Sequence, residues 1–306
     1  NLSGATNYNP AGILQVNTIA PTVASIATSG AGITNGSGDL NAGKLVTLTV
    51  NLSAAVTVNT TGGTPTLALN DGGTASYSGG SGSTALTFNY TVAAGQNIAD
   101  LIVSSLNLNG AIITDGNGNA ANLTGAANFN PAGTLQIDTT APTIASIVAT
   151  GAGISNGSGN VSTGQVVTLT VNASEPVTVN TSRGTPTLAL NDGGTASYSG
   201  GSGSNSLTFS YTVAAGQTTS DLAVSSLNLN GAVISDGAGN TANLSGATNY
   251  NPAGILQVNT IAPTVASIAT SGAGITNGSG DLNAGKLVTL TVNLSAAVTV
   301  NTTGGT

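Results

Sequence analysis

Ten carboxylates and three basic side chains are all the charge that this 306-residue chain carries, and it has no histidine and no cysteine. The carboxylates with the most informative spacing stand in two short turns 121 positions apart, Asp115-Gly116-Asn117-Gly118-Asn119 and Asp236-Gly237-Ala238-Gly239-Asn240. Each turn sets a carboxylate and an amide oxygen on a segment whose glycines tolerate positive φ. Oxygens placed in this way serve either as ligands for a hard cation or as acceptors for the N–H groups of their own turn.

Other chemistry is scarce. Without histidine there is no Ser/His/Asp relay and no imidazole ligand; without cysteine there is no thiolate nucleophile, disulfide or zinc thiolate. Three cations cannot form the basic stripe that nucleic acid requires, and no apolar run approaches the ~20 residues of a membrane helix. The chain is therefore expected not to be an enzyme, not to bind nucleic acid and not to span a membrane in this region. Asp100 and Asp221, which precede the segments starting at Leu101 and Leu222, read as turn or cap residues. Gly79-Gly80-Ser81-Gly82-Ser83 begins like a calcium-binding nonapeptide repeat, but Thr84 and Asn205 stand where the next Asp belongs, so it reads as a hairpin loop. An internal Lys–Asn cross-link is not expected either: Lys44 is matched by Gln165, and Glu175 by Ala54.

These turns recur because the whole chain does. Asn1 to Thr64 returns letter for letter as Asn243 to Thr306, Gly63 to Ser83 returns as Gly184 to Ser204, and Asn122 to Gly133 answers Asn1 to Gly12, so the period is 121 residues and the near-perfect unit 242. Repeats of this kind set the architecture. The spacing places the last strand of a preceding repeat at 1–16, full repeats at 17–137 and 138–258, and the first half of another at 259–306. The duplicated block reads as a window on a longer covalent array. Strand donation between short subunits is disfavoured, since head and tail together lack the equivalent of Pro65 to Ala121.

Within one repeat the apolar residues alternate. Pro21 to Thr28 reads as an edge strand, Ala31 to Ala42 as a loop, and Leu45 to Ser53 as a half-buried strand with Val46, Leu48, Val50 and Leu52 on one face. Short strands follow at 55–59, 64–69 and 74–78, with Asn70-Asp71-Gly72-Gly73 as a tight hairpin. Leu86, Phe88, Tyr90 and Val92 form the most apolar face, in the expected core strand, and further strands are expected at 101–108 and 133–137. Hydrophobic residues make up 39% of the chain, which favours a folded protein over a disordered one. Short strands separated by turns, with no helix-length period, imply an all-β fold of tandem Ig-like Greek-key β-sandwich domains, about seven strands each, with a closed barrel as the rival.

The phrase Asp138-Thr139-Thr140-Ala141-Pro142-Thr143, taken with the two Asp-Gly-x-Gly-Asn turns, resembles the tandem bacterial immunoglobulin-like domains of giant surface adhesins and biofilm-associated proteins, over the entire chain. The resemblance implies an extracellular, extended, non-catalytic array, often stiffened by calcium at domain junctions. It implies one calcium clamp formed by Asp115, Asn119 and Asp138 and a weaker one formed by Asp236, Asn240 and Asn259, where Asn replaces the Asp of the junction phrase. The alternative for both sets is a turn that satisfies only itself. The expected function is a structural filament, stalk or biofilm-matrix region that supplies length. Sparse surface charge opposes lateral contact only weakly, so other copies of the chain are the expected partners. A ligand-binding adhesin module with a glycan or protein target is the alternative.

Overall fold

The computed structural model describes residues 12–303 and is built almost wholly of β-strands. The first set is β1 (Val23–Ser29), β2 (Gly38–Leu40), β3 (Leu45–Asn59), β4 (Thr66–Leu69), β5 (Thr74–Gly79), β6 (Ser83–Thr91), β7 (Val103–Asn107), β8 (Ile112–Asp115) and β9 (Leu135–Ile137). The second is β10 (Ile144–Gly151), β11 (Gly159–Val161), β12 (Val166–Asn180), β13 (Thr187–Leu190), β14 (Thr195–Gly200), β15 (Ser204–Thr212), β16 (Thr218–Thr219), β17 (Val224–Asn228), β18 (Val233–Ser235) and β19 (Leu256–Asn259). A pair, β20 (Val265–Ser271) and β21 (Thr289–Leu294), follows. The only helical segments among the described residues are single 3-10 turns at Thr124–Ala126 and Ser245–Ala247. Of the expected preceding strand at 1–16, residues 1–11 lie outside the described residues, as do the last three of the segment 259–306.

In the first set the pairing order is β1-β3-β6-β5-β4-β7, with β8 on the distal half of β3, and β2 runs parallel to β9. The chain thus starts on one face beside β3 and crosses to the other to pair with the last strand, an immunoglobulin-type Greek key. The strands from β1 to β8 other than β2 belong to one continuous hydrogen-bonded sheet that includes the β4–β5 hairpin, and β2 with β9 form a small second sheet. The second set repeats this order as β10-β12-β15-β14-β13-β17, with β18 on β12 and β11 parallel to β19.

Alternation explains the core. Val46, Leu48, Val50 and Leu52 on β3 are all buried and face Leu86, Phe88 and Tyr90 of β6, and each such side chain contributes about 1.5–3 kcal/mol when buried. Tyr77 meets Phe88 edge-on at 5.7 Å, as Tyr198 meets Phe209. The two cores share no residue: one is drawn from Ile26 to Ile137, the other from Ile147 to Val258. Asp100 does more than end a turn. Its carboxylate accepts the Leu135 N–H at 3.0 Å and the Asn130 amide at 3.0 Å, tying β9 to the segment before β7, and Asp221 does the same for Leu256 and Asn251.

Below the β4–β5 hairpin, Tyr90 points its hydroxyl at the carboxylate of Asp71, whose other oxygen accepts the Gly73 N–H at 2.8 Å. Burial, then the hydrogen bond to Asp71 and its charge, push the Tyr90 phenol well above the ordinary tyrosine range, and Tyr211 above Asp192 is raised for the same reasons. A raised folded-state value gives stability that is whole below the unfolded value of about 10 and is lost as pH rises past it. Urea unfolding followed by circular dichroism should therefore show a decline in stability above about pH 10 that is absent just below it. Tyr90→Phe with Tyr211→Phe should flatten that decline and cost about 1.5–3 kcal/mol per site at neutral pH. An unaltered alkaline limb in the double variant would refute this assignment.

Candidate functional site: an acidic joint between the two sandwiches

Six residues, Asp138 to Thr143, separate β9 from β10. The linker is tied to the first sandwich: the Asp138 N–H donates to Leu40 O at 3.0 Å, the Thr139 N–H to Asn97 Oδ1 at 2.7 Å, and the Gly95 N–H to Thr139 Oγ1 at 2.9 Å. The parallel β2–β9 register sets Asp39 beside Gln136 and Leu40 beside Ile137, and the Asp138 bond to Leu40 O keeps the two strands together just before Asn41. Because side chains alternate in a strand, buried Leu40 is anchored in the core while Asp39 and Asn41 face the joint.

The second sandwich meets this surface with its Asp-Gly-x-Gly-Asn turn. Asp236 Oδ1 accepts the Gly239 N–H at 2.7 Å and the Asn240 N–H at 2.8 Å, and its Oδ2 accepts the Asn240 amide at 2.9 Å. That geometry needs a positive φ at Gly239, +96°, which glycine adopts without strain. The Asn240 amide also reaches back 102 residues to donate to Asp138 O at 2.9 Å. Glu175 arrives from β12 where its pairing with β15 slips in register, between Asn172 and Val177. Asp138, Glu175 and Asp236 each bring a carboxylate oxygen within 4.8 Å of the others.

Asp39 lies near enough to feel the charge of this cluster. Burial, then the charges of Asp138 and Asp236, raise its carboxyl above the usual range; burial followed by Asp138, Asp236 and Asp39 raises Glu175. Two unit charges about 5 Å apart repel by about 3 kcal/mol at an effective dielectric constant of about 20, so the three clustered carboxylates, with Asp39 near them, oppose the docking they sit in. Asp39 Oδ1 and Asn41 Oδ1 are shut off from solvent and have no hydrogen-bond partner. An orphaned buried oxygen costs about 1–3 kcal/mol. Together with the three clustered carboxylates they leave the joint rich in oxygens that lack an acceptor of their electron pairs. Calcium sits about 2.3–2.6 Å from each of six to eight oxygens, so ligands of one ion lie up to roughly 5 Å apart, and the spacing of the Asp138, Glu175 and Asp236 oxygens fits it.

The structure regroups the six residues singled out from sequence. Asp138 is joined by Asp236 and Asn240, not by Asp115 and Asn119. Asn119 instead donates to Asn17 O at 3.1 Å, so each turn serves the joint that precedes its own sandwich. Asp115 satisfies its own turn, accepting from the Asn117 and Asn119 N–H groups at 2.9 and 2.8 Å; the Asn119 side chain and these amides hold its carboxyl below the usual range. Asn259 lies at the following joint, where its Oδ1 accepts the Ile261 N–H at 3.0 Å. The turn-only arrangement and the joint contact thus coexist, since the Asn amide serves both. Sequence reasoning missed Asp39 and Asn41, which fall in a stretch read as loop, and gave Glu175 no place at the joint.

No helix among the described residues is long and apolar enough to cross a membrane. No protein-family model matches the chain, and no curated protein matches it. Among solved structures the chain is similar to the titin domains Z1Z2 in complex with telethonin, at 14% identity and a TM-score of 0.22, with 81% of this chain and 100% of that one covered. The immunoglobulin-like assignment rests on the strand order and on the parallel pairing of β2 with β9.

Proposed function

We propose that this chain is a non-catalytic structural region of an extracellular bacterial filament, stalk or biofilm-matrix adhesin, built from repeats at 17–137 and 138–258 and continued by 259–306. In this reading calcium stiffens the joint between the two sandwiches. The observation that carries it is the carboxylate cluster of Asp138, Glu175 and Asp236, with the unpartnered buried oxygens of Asp39 and Asn41 on and just past β2, at the place where two separately cored sandwiches meet. A clamp there has mechanical meaning, since it fixes the angle between units whose cores are independent. Extracellular modules hold calcium with dissociation constants of about 0.1–1 mM, matched to the concentration outside cells. Exposed faces dominated by Ser, Thr, Asn and Gly let copies pack side by side with little repulsion.

Calorimetric titration of the chain with calcium is expected to show one site. Thermal unfolding should shift upward with calcium, by about 2.7 kcal/mol when the free ion stands at 100 times its dissociation constant, and EGTA should reverse the shift. Electron microscopy of the native material should show stiff, thin particles with calcium and bent ones after chelation. The absence of both binding heat and a thermal shift at millimolar calcium would overturn the clamp.

A further inference from the structure

The next joint differs in composition from the first. There Asn160 and Ser162 stand in the places of Asp39 and Asn41, Asn259 in that of Asp138, and Ala296 in that of Glu175, as Ala54 does in the first sandwich. The backbone scaffold is unchanged: β11 pairs parallel with β19, placing Asn160 beside Gln257 as Asp39 lies beside Gln136. Asn259 keeps the same turn as Asp138, each side-chain oxygen accepting the N–H two residues on at 3.0 and 2.9 Å. What changes is the donor set. Ser162 is engaged by Gln165, whose Oε1 accepts its N–H at 2.6 Å and its hydroxyl at 3.2 Å, whereas Asn41 Oδ1 has no partner. Four carboxylates at the first joint are reduced to the single one that an incoming turn such as that of Asp115 brings.

On the reading of the first joint as a cation clamp, we infer that only every second joint binds calcium, so that the array is a chain of two-sandwich rods locked by the ion and separated by ion-indifferent hinges. The mechanical period is then 242 residues, twice the structural one, which gives the two unequal halves of the sequence unit a physical role. A lone carboxylate with amide oxygens lacks the charge to strip water from a divalent cation, whereas four carboxylates supply it.

The test uses the whole chain, which contains the acidic joint. Since the chain has no cysteine, Ser76→Cys and Ser197→Cys, on exposed positions of β5 and β14, allow spin labels to report the distance distribution across that joint. With the native acidic residues, calcium should bind once and narrow the distribution. The combined variant Asp39→Asn, Asn41→Ser, Asp138→Asn, Glu175→Ala installs the side chains of the other joint, each already carried on this fold, and keeps Asp236 and Asn240. It should bind calcium at least 100-fold more weakly and keep a broad distribution at millimolar calcium. The single variant Glu175→Ala should bind at least tenfold more weakly. Binding within threefold of the native chain by either variant, with the same narrowing, overturns the alternation and leaves the clamp standing. Absence of binding by the native chain overturns the clamp, and the alternation with it.

Discussion

Phe88→Ala is expected to remove about 3–5 kcal/mol from the first sandwich and nothing from the second, splitting one calorimetric transition into two. Phe88 is fully buried on β6, lies opposite Leu48 on β3 and Tyr77 on β5, and meets the Tyr77 ring edge-on. Its loss leaves a cavity among β-strands that cannot close it without breaking their ladders. The second sandwich has its own copy of this arrangement in Phe209, Leu169 and Tyr198 and shares no core residue with the first. For units of roughly 100 residues, each kcal/mol moves the midpoint by about 4–8 °C, so the separation should be roughly 10–40 °C. Phe209→Ala should produce the mirror image, and Phe88→Ala with Phe209→Ala should restore a single, lower transition. The contrast also tests the proposed repeat boundaries, because a chain that folds as one unit would shift as a whole. One undivided transition in Phe88→Ala, in EGTA, would refute independent units.

The strands that carry this core were legible in sequence because their signal is long. Four alternating apolar residues on β3, and three on β6 with Val92 just past its end, fix both strand and face, and Asn70-Asp71-Gly72-Gly73 fixes the hairpin through the positive φ at Gly72. Shorter elements were not legible. In β2 only Leu40 is buried, so three residues offer no period and the stretch reads as loop. The strand β8 merges into the turn that follows it, and β3 continues unbroken to Asn59 where two strands had been expected, because the register slips between Asn51 and Val56 without ending the strand. The joint inherits these gaps. The oxygen chemistry of Asp236 and Asn240 could be read from a five-residue turn, but its destination could not. Chain order suggests that such a turn meets the linker ahead of it, whereas the β18–β12 pairing carries it back to the linker behind, 102 residues away. Asp39 and Asn41 are placed by the pairing of β2 with β9, nearly a hundred residues apart, which no local pattern encodes.

That dependence on β2 leads to the other large effect. Asn35 and Gly36 have φ of +51° and +79° and form the tight turn between Thr34 and Ser37 that feeds the chain into β2. The turn lies against Ala132 and Gly133, just before β9, so closely that a Cβ on Gly36 would stand 1.9 Å from the Ala132 carbonyl oxygen. Neither a backbone oxygen nor a left-handed φ yields cheaply, so Gly36→Ala should cost roughly 3 kcal/mol, and the relief available is to move β2 away from β9. Gly157→Ala makes the same clash with Ala253 in the second sandwich, also at 1.9 Å and with φ of +75°, and should cost a similar amount. Their effects on the first joint should differ, because Asp39 and Asn41 ride on β2 while β11 contributes nothing to that joint. Calcium titration at a temperature where both variants remain folded should therefore show at least tenfold weaker binding in Gly36→Ala and native affinity in Gly157→Ala. Equal binding by the two would show that the β2–β9 register does not position the cluster, and would leave Asp138, Glu175 and Asp236 as the whole of the donor set.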